Sequence, residues 1–227
     1  MRFRFVLFIA TLFAVTVCSC NSKGPKYIEE GEIHYTLNYL GPLAVPVEFL
    51  PKNLTVTFKE DKILFELISP YGKSGITNLA NPEEGIYDTY YTFFSRKYYY
   101  AAKENEVFPG FSSMDGMILS ETKKTAVICG YNCKNAEIKF ASDSSKVYNV
   151  WYTDEIGIKN SNSSNPFSQI DGVLLNFFFK LGSTELYFEA DAIYKKDVPD
   201  KTFERRKSFK RVSKDDINKF ITAMISF

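Results

Sequence analysis

Apolar and polar residues alternate along most of this chain. Over residues 32–40, Ile33, Tyr35, Leu37 and Tyr39 fall on one face, and Glu32, His34, Thr36 and Asn38 on the other. That period of two is what a strand with one buried side requires. Residues 54–59 repeat the pattern, Glu60-Asp61 reads as a turn, and 62–68 returns as the partner strand of a hairpin. Segments 76–79, 86–94, 97–102, 117–120, 124–129, 134–140 and 147–153 continue the series. A last long pair, 173–181 and 185–195, surrounds Gly182-Ser183. Most connections are short; the clearest loop is the polar stretch 160–166. Roughly ten or eleven strands joined in this way predict a mainly β fold, a curled antiparallel sheet shaped as a half-barrel.

The period changes at the C-terminal end. Ser213-Lys214-Asp215-Asp216 is an S-x-x-D variant of the capping box. Ile217, Phe220, Ile221, Met224 and Ile225 then recur at helical spacing. The expectation is an amphipathic helix over 214–226 that packs its apolar stripe on the sheet.

The N-terminal end follows neither pattern. Arg2 and Arg4 precede a 12-residue apolar run, 6–17, which leads into Cys18-Ser19-Cys20. The run falls short of the about 20 residues that span a bilayer and has the order of a lipoprotein signal peptide. Three parts are therefore expected: a signal peptide over 1–19, a lipidated tether over 20–30, and one β-rich domain over 31–227. Cys20 would carry palmitate-type acyl chains, which in pairs or triples anchor a protein stably. Residues 21–24, Asn-Ser-Lys-Gly, contain no acid, which points to the periplasmic face of the outer membrane.

Composition supports the β reading, since 15 Tyr and 21 Phe against one Trp favour pleated, half-buried surfaces. The formal charge of +1 becomes −1 once Arg2 and Arg4 leave, so nothing electrostatic suggests nucleic acid. Cys129 and Cys133 remain after the signal and anchor cysteines are set aside. Two readings stay open for them: in a straight strand they lie roughly 13 Å apart, too far to bridge, whereas a tight bend at Gly130 brings them together.

Signs of catalysis are few, and no enzyme, cofactor or metal is expected. His34, the single histidine, sits on the polar face of its strand. Gly72-Lys73-Ser74 resembles the end of a phosphate loop, but Leu67 occupies the position of the required upstream glycine. Glu185, Glu189 and Asp191 share parity along a strand and read as one solvated face. The basic cluster Arg205, Arg206, Lys207, Lys210 and Arg211 reads either as a contact for anionic lipid headgroups or as a solvated connector, the usual fate of a charge run.

Several stretches resemble a known group. Gly130-Tyr131-Asn132-Cys133-Lys134-Asn135-Ala136 is similar to the G-Y-x-C-x-x-A segment of the GLPGLI-type β-rich envelope lipoproteins, and Trp151-Tyr152-Thr153-Asp154-Glu155-Ile156 to their W-Y-T-x-x-I. Ile170-Asp171-Gly172-Val173-Leu174-Leu175 falls where the family has L-P-G-L-I-L, with Asp171 in place of the motif proline. Order and spacing match across 121–195. Residues 31–35 and 50–56 look like the opening strands of related envelope proteins. The family has no settled activity; the resemblance implies a fold similar to the periplasmic lipoprotein carriers (LolA/LolB-like), with an apolar concavity under a helix. Gly130, Tyr131, Cys133, Trp151, Tyr152 and Gly172 would then bend and fill the sheet or line a ligand. The expected function is a membrane-anchored module that binds an apolar ligand such as a lipid acyl chain. The alternative is an assembly protein that docks to another envelope protein through a sheet edge or loop 157–169.

Overall fold

The computed structural model describes residues 27–43, 45–72 and 74–225; the signal peptide, Cys20 and residues 21–26 lie outside them. Twelve strands form one sheet: β1 (Glu30–Leu40), β2 (Asn53–Lys59), β3 (Lys62–Ile68), β4 (Ser74–Asn81), β5 (Ile86–Phe93), β6 (Arg96–Ala101), β7 (Met117–Ile128), β8 (Tyr131–Phe140), β9 (Asp143–Thr153), β10 (Val173–Leu181), β11 (Thr184–Lys195) and β12 (Lys210–Arg211), followed by the helix α1 (Lys214–Ile225). The spatial order is β12-β6-β5-β4-β3-β2-β1-β11-β10-β9-β8-β7. Neighbours pair antiparallel except β12, which runs parallel to β6. The sheet curls without closing, a half-barrel with α1 packed on it.

The strands differ from the sequence expectation in two places, one that removes a strand and one that adds one. Segments 117–120 and 124–129 are one strand, β7, interrupted by a bulge between Glu121 and Thr125. β12 is only two residues long and owes its existence to an edge partner 112 positions earlier in the chain, Tyr98 facing Lys210. β1 keeps the predicted faces, with Ile33, Tyr35 and Leu37 buried. Gly31 marks where β1 crosses β11 closely: a Cβ there would stand 2.1 Å from the Tyr194 carbonyl oxygen, so no side chain fits.

The larger core lies on the inner face and joins residues such as Ile33, Val56, Ile63, Leu67 and Phe177 to Ile217 and Ile221 of the helix. Phe220 stacks on Tyr91 and Tyr98, with ring centroids 5.6 and 4.9 Å away. Ser213 caps α1: its Oγ accepts from the Asp216 amide at 3.2 Å and its hydroxyl donates to the Asp216 carboxylate at 2.7 Å. The carboxylate thus holds the capping hydroxyl rather than the backbone amide of a full capping box.

A smaller core covers the opposite face, where Leu64, Leu79, Ile86 and Tyr90 meet Val198 and Phe203. The segment from Val198 onward crosses this outer face, rounds the β6 edge as β12 and delivers α1 to the inner face. The charge run lies within this clasp, and two of its five basic residues are tied to carboxylates of the sheet. Arg205 donates from Nε and Nη2 to both carboxylate oxygens of Asp88, at 2.7 and 3.1 Å. Arg206 donates to Glu66 at 2.5 Å, and its backbone amide to the Tyr90 hydroxyl at 3.0 Å. Asp88 is fully buried, and a buried carboxylate needs such partners. Lys207, Lys210 and Arg211 remain exposed.

The polar loop also behaves differently from its composition. Ile156, Ile158, Phe167 and Ile170 are buried, and so are Asn162, Ser164 and Asn165. Asn162 Nδ2 donates to the carbonyls of Ile170 and Gly172 at 3.0 and 2.8 Å, and Asn165 Nδ2 donates to Asn162 Oδ1 at 3.0 Å. The Phe167 amide donates to Asn165 Oδ1 at 2.8 Å. These amides satisfy the backbone of a loop folded into the protein, and six of the 13 residues of 157–169 are buried. Glu185 departs from expectation as well. It is largely buried and takes hydrogen bonds from Lys146, Tyr148 and Tyr187 at 2.6–2.8 Å. Burial pushes its pKa up, but these donors outweigh it and hold the carboxyl below the usual range. Glu189 and Asp191 are exposed, as predicted.

Candidate functional site

The six motif residues form a patch across β8, β9 and β10. Cys129 and Gly130, with φ of +50° and +85°, make the two-residue turn between β7 and β8, the backbone signature of a type I′ hairpin. The predicted bend therefore exists, but it does not bridge the thiols. Its register places Cys133 opposite Ala126, leaving Cys129 in the turn itself. Both cysteines are free, Cys129 exposed and Cys133 buried. Burial pushes the Cys133 thiol up to about 11, an inert packing group.

Tyr131 and Tyr152 are buried, while Trp151 is half-buried between Asn135 and Asn176 on the flanking strands. Burial, then the hydrogen bond of its hydroxyl to Glu121, raises Tyr152 to about 12. Gly172 has φ of +149°, and a Cβ would come within 2.8 Å of the Thr153 carbonyl oxygen and 3.0 Å of the Tyr152 ring. The glycine thus lets the chain re-enter the sheet against Tyr152. None of the six lines the apolar mouth or the two inner-face cavities described below.

An apolar mouth lies elsewhere, at the end of the sheet where β1, β3 and β5 finish. Three connecting stretches meet there, 45–51, 69–72 and the Phe94-Ser95 turn, together with the last turn of α1. The cavity measures about 700 Å³. Leu50 and Met224 form its buried floor. Phe49, Tyr71, Phe93 and Phe94 form its rim, exposed by 55, 64, 40 and 62%. Phe49 and Tyr71 lie with ring centroids 6.0 Å apart, and Phe93 and Phe94 meet edge to face at 4.9 Å. No charged side chain lines the cavity among the described residues.

Local anchors hold the mouth open. The Tyr39 hydroxyl donates to the Pro51 carbonyl at 2.8 Å, and the Thr184 hydroxyl donates to that of Pro42. Phe94 has φ of +53°, a conformation that costs an L-residue with a Cβ about 1–2 kcal/mol. A glycine or asparagine would make this turn more cheaply, yet the turn carries a ring that faces water. The sequence held the signal for this site: apolar residues at Val45, Val47, Phe49, Tyr71 and Phe94 occupy turn positions where polar residues are usual.

One edge of the sheet, a docking surface expected from the sequence, has a modified profile. The exposed β7 edge carries the Glu121–Thr125 bulge with Lys123 and Lys124 inside it, devices that oppose strand addition. Among the described residues no helix is long and apolar enough to cross a membrane.

No protein-family model matches the chain, and no curated protein matches it. Two solved structures of PNGF-II, in C2 and P21 crystal forms, are similar in fold, with TM-scores of 0.52 and 0.53 and 17% sequence identity. The matches cover 85% of this chain but only 32% and 33% of those chains. This chain therefore spans about a third of the length of the structures it resembles, and the likeness is one of fold.

Proposed function

We propose that this protein is a lipid-anchored envelope lipoprotein of the GLPGLI type whose mouth holds an apolar ligand, a lipid acyl chain. The observation that carries the reading is the mouth, without charge among the described residues, whose about 700 Å³ falls within the range of small-molecule sites. Its rim of exposed rings is the kind of apolar patch that a soluble surface rarely carries without a use. The strained Phe94 turn and the helix end at Ala223 and Met224 complete a wall suited to a hydrocarbon chain. The signal pattern ending at Cys20 supports anchoring, on the periplasmic face of the outer membrane.

The described residues begin near one end of β1, and the mouth sits at the other. Tyr27 precedes its start, and Leu40 reaches the mouth; 11 residues of strand span roughly 36 Å. Residues 21–26 add a leash of at most about 21 Å. The ligand need not enter from the leaflet that holds Cys20, and the mouth can take it up from the aqueous side.

Replacing Cys20 with Ala should move the protein from the membrane to the soluble fraction on cell fractionation, with its fold unchanged by circular dichroism. Continued membrane association would count against the anchor. In that soluble background a fluorescent fatty acid of palmitate length should bind. The Phe49→Asp/Phe94→Asp pair should weaken it at least about tenfold, because each ring lost from a fully covered ligand contact is worth about 1.5–3 kcal/mol. Val127→Asp, on the exposed β7 edge, should leave the affinity as it was. Equal affinity in all three proteins would remove the mouth from the account.

A further inference from the structure

A second cleft of different chemistry opens at the opposite end of the inner face. It holds about 270 Å³ between the beginnings of β3 and β5, segment 104–111 and the infolded loop 160–165. It shares no lining residue with the apolar mouth. Between the two lies a void of only about 60 Å³, bounded by Phe111, Phe179 and Ile221. We propose that this cleft is a separate binding site for an organic ammonium group.

The first reason is an orphan hydroxyl. Ser164 lines the cleft and is 6% exposed, and its Oγ is buried without a hydrogen-bond partner. Buried polar atoms are nearly always satisfied, and leaving one bare carries the full cost of removing it from water. The Oγ is closed to water in this conformation, and a turn of the side chain about Cα–Cβ would bring it to the cleft to accept a ligand N–H.

Charge selects the ligand further. Asp61 and Glu104 line the cleft, and neither has an ion-pair or hydrogen-bond partner among the described residues. Among the described residues no lysine or arginine lines it. An anion would find two negative charges and nothing to balance them, whereas a cation would meet both. The field reaches Tyr87 in the wall, whose phenol is raised above its ordinary range by burial and then by Glu104 and Asp61. The walls add Phe65, Phe108 and Phe111, and aromatic faces attract ammonium groups through their quadrupoles. Carboxylates beside several rings, around one unpaired hydroxyl, describe an ammonium pocket better than a polyol or carboxylate pocket.

Three probes of one shape separate these possibilities: benzylammonium, benzyl alcohol and benzoate. Calorimetric titration of the full chain at pH 7 should give saturable binding of benzylammonium at least about tenfold tighter than benzyl alcohol, and none of benzoate. Asp61→Asn/Glu104→Gln, near-isosteric changes at the cleft rim, should erase that preference while the melting temperature stays within a degree or so of the parent. Ser164→Ala should weaken benzylammonium several-fold and leave benzyl alcohol less affected. Equal binding of the alcohol, binding of benzoate, a preference that survives the double variant, or no saturable binding would each overturn the assignment.

Discussion

Phe167→Ala is expected to destabilise the protein by about 3–5 kcal/mol, the usual cost of removing a fully buried phenylalanine. Phe167 has no exposed surface, and its ring lies 6.0 and 5.9 Å from those of Phe178 and Phe179. Its backbone is held by Asn165, and Asn165 by Asn162, whose amide closes on Ile170 and Gly172. That framework keeps the loop from collapsing into the space a truncation leaves, so the cavity term should persist. For a domain of ordinary stability, about 5–15 kcal/mol, the loss is a large fraction. Urea unfolding measures it directly. A cost below about 0.5 kcal/mol, typical of a surface position, would mean that segment 154–172 is an external loop after all.

Arg205→Ala should cost about 2–4 kcal/mol. Stranding one partner of a buried pair commonly costs about 3–5 kcal/mol; here the figure is lowered because the arginine side is 47% exposed and water can replace part of it. Asp88 would keep only the Tyr90 hydroxyl, now 2.7 Å away. Asp88→Asn in the same protein should recover part of the loss by removing the stranded charge. Arg205→Lys should fall between, since an ammonium cannot reproduce the two-pronged contact. Lys207→Ala, beside it in sequence but exposed, should change stability by less than about 0.5 kcal/mol. If the two alanine variants unfold at the same urea concentration, the C-terminal clasp does not hold this half of the sheet.

The sheet was legible in the sequence because its pattern is local. Alternation alone placed β3 and β10 at their observed limits and assigned the faces of β1, and the change of period at Ser213 marked α1. What stayed hidden depends on residues far apart in the chain. β12 has two residues and no pattern of its own, and it exists because β6 offers an edge. The arginine cluster looks like a solvated run until Asp88, 117 residues earlier, is placed beneath it. Likewise the asparagines and serines of 160–166 look like water-facing residues, because the composition that solvates a loop is also the composition that satisfies a buried one. Glu185 follows the same logic: parity put it with Glu189 and Asp191, but Lys146 and two tyrosines from folded neighbours cover it. The motif residues were legible as a group and pack as a group, yet they lie away from the mouth. The mouth could have been read from aromatic residues in turns, a local signal that a search for strands passes over.

The central claim, an acyl chain held in the mouth, is tested most directly by mapping where a lipid sits. A fatty acid carrying a diazirine near its methyl end would be bound to the Cys20→Ala protein and photoactivated, and the adducts located by peptide mass spectrometry. The label should fall on peptides containing Phe49, Tyr71, Phe94 and Met224. Label confined to segments 104–108 and 160–165, or spread evenly over the exposed surface, would contradict it.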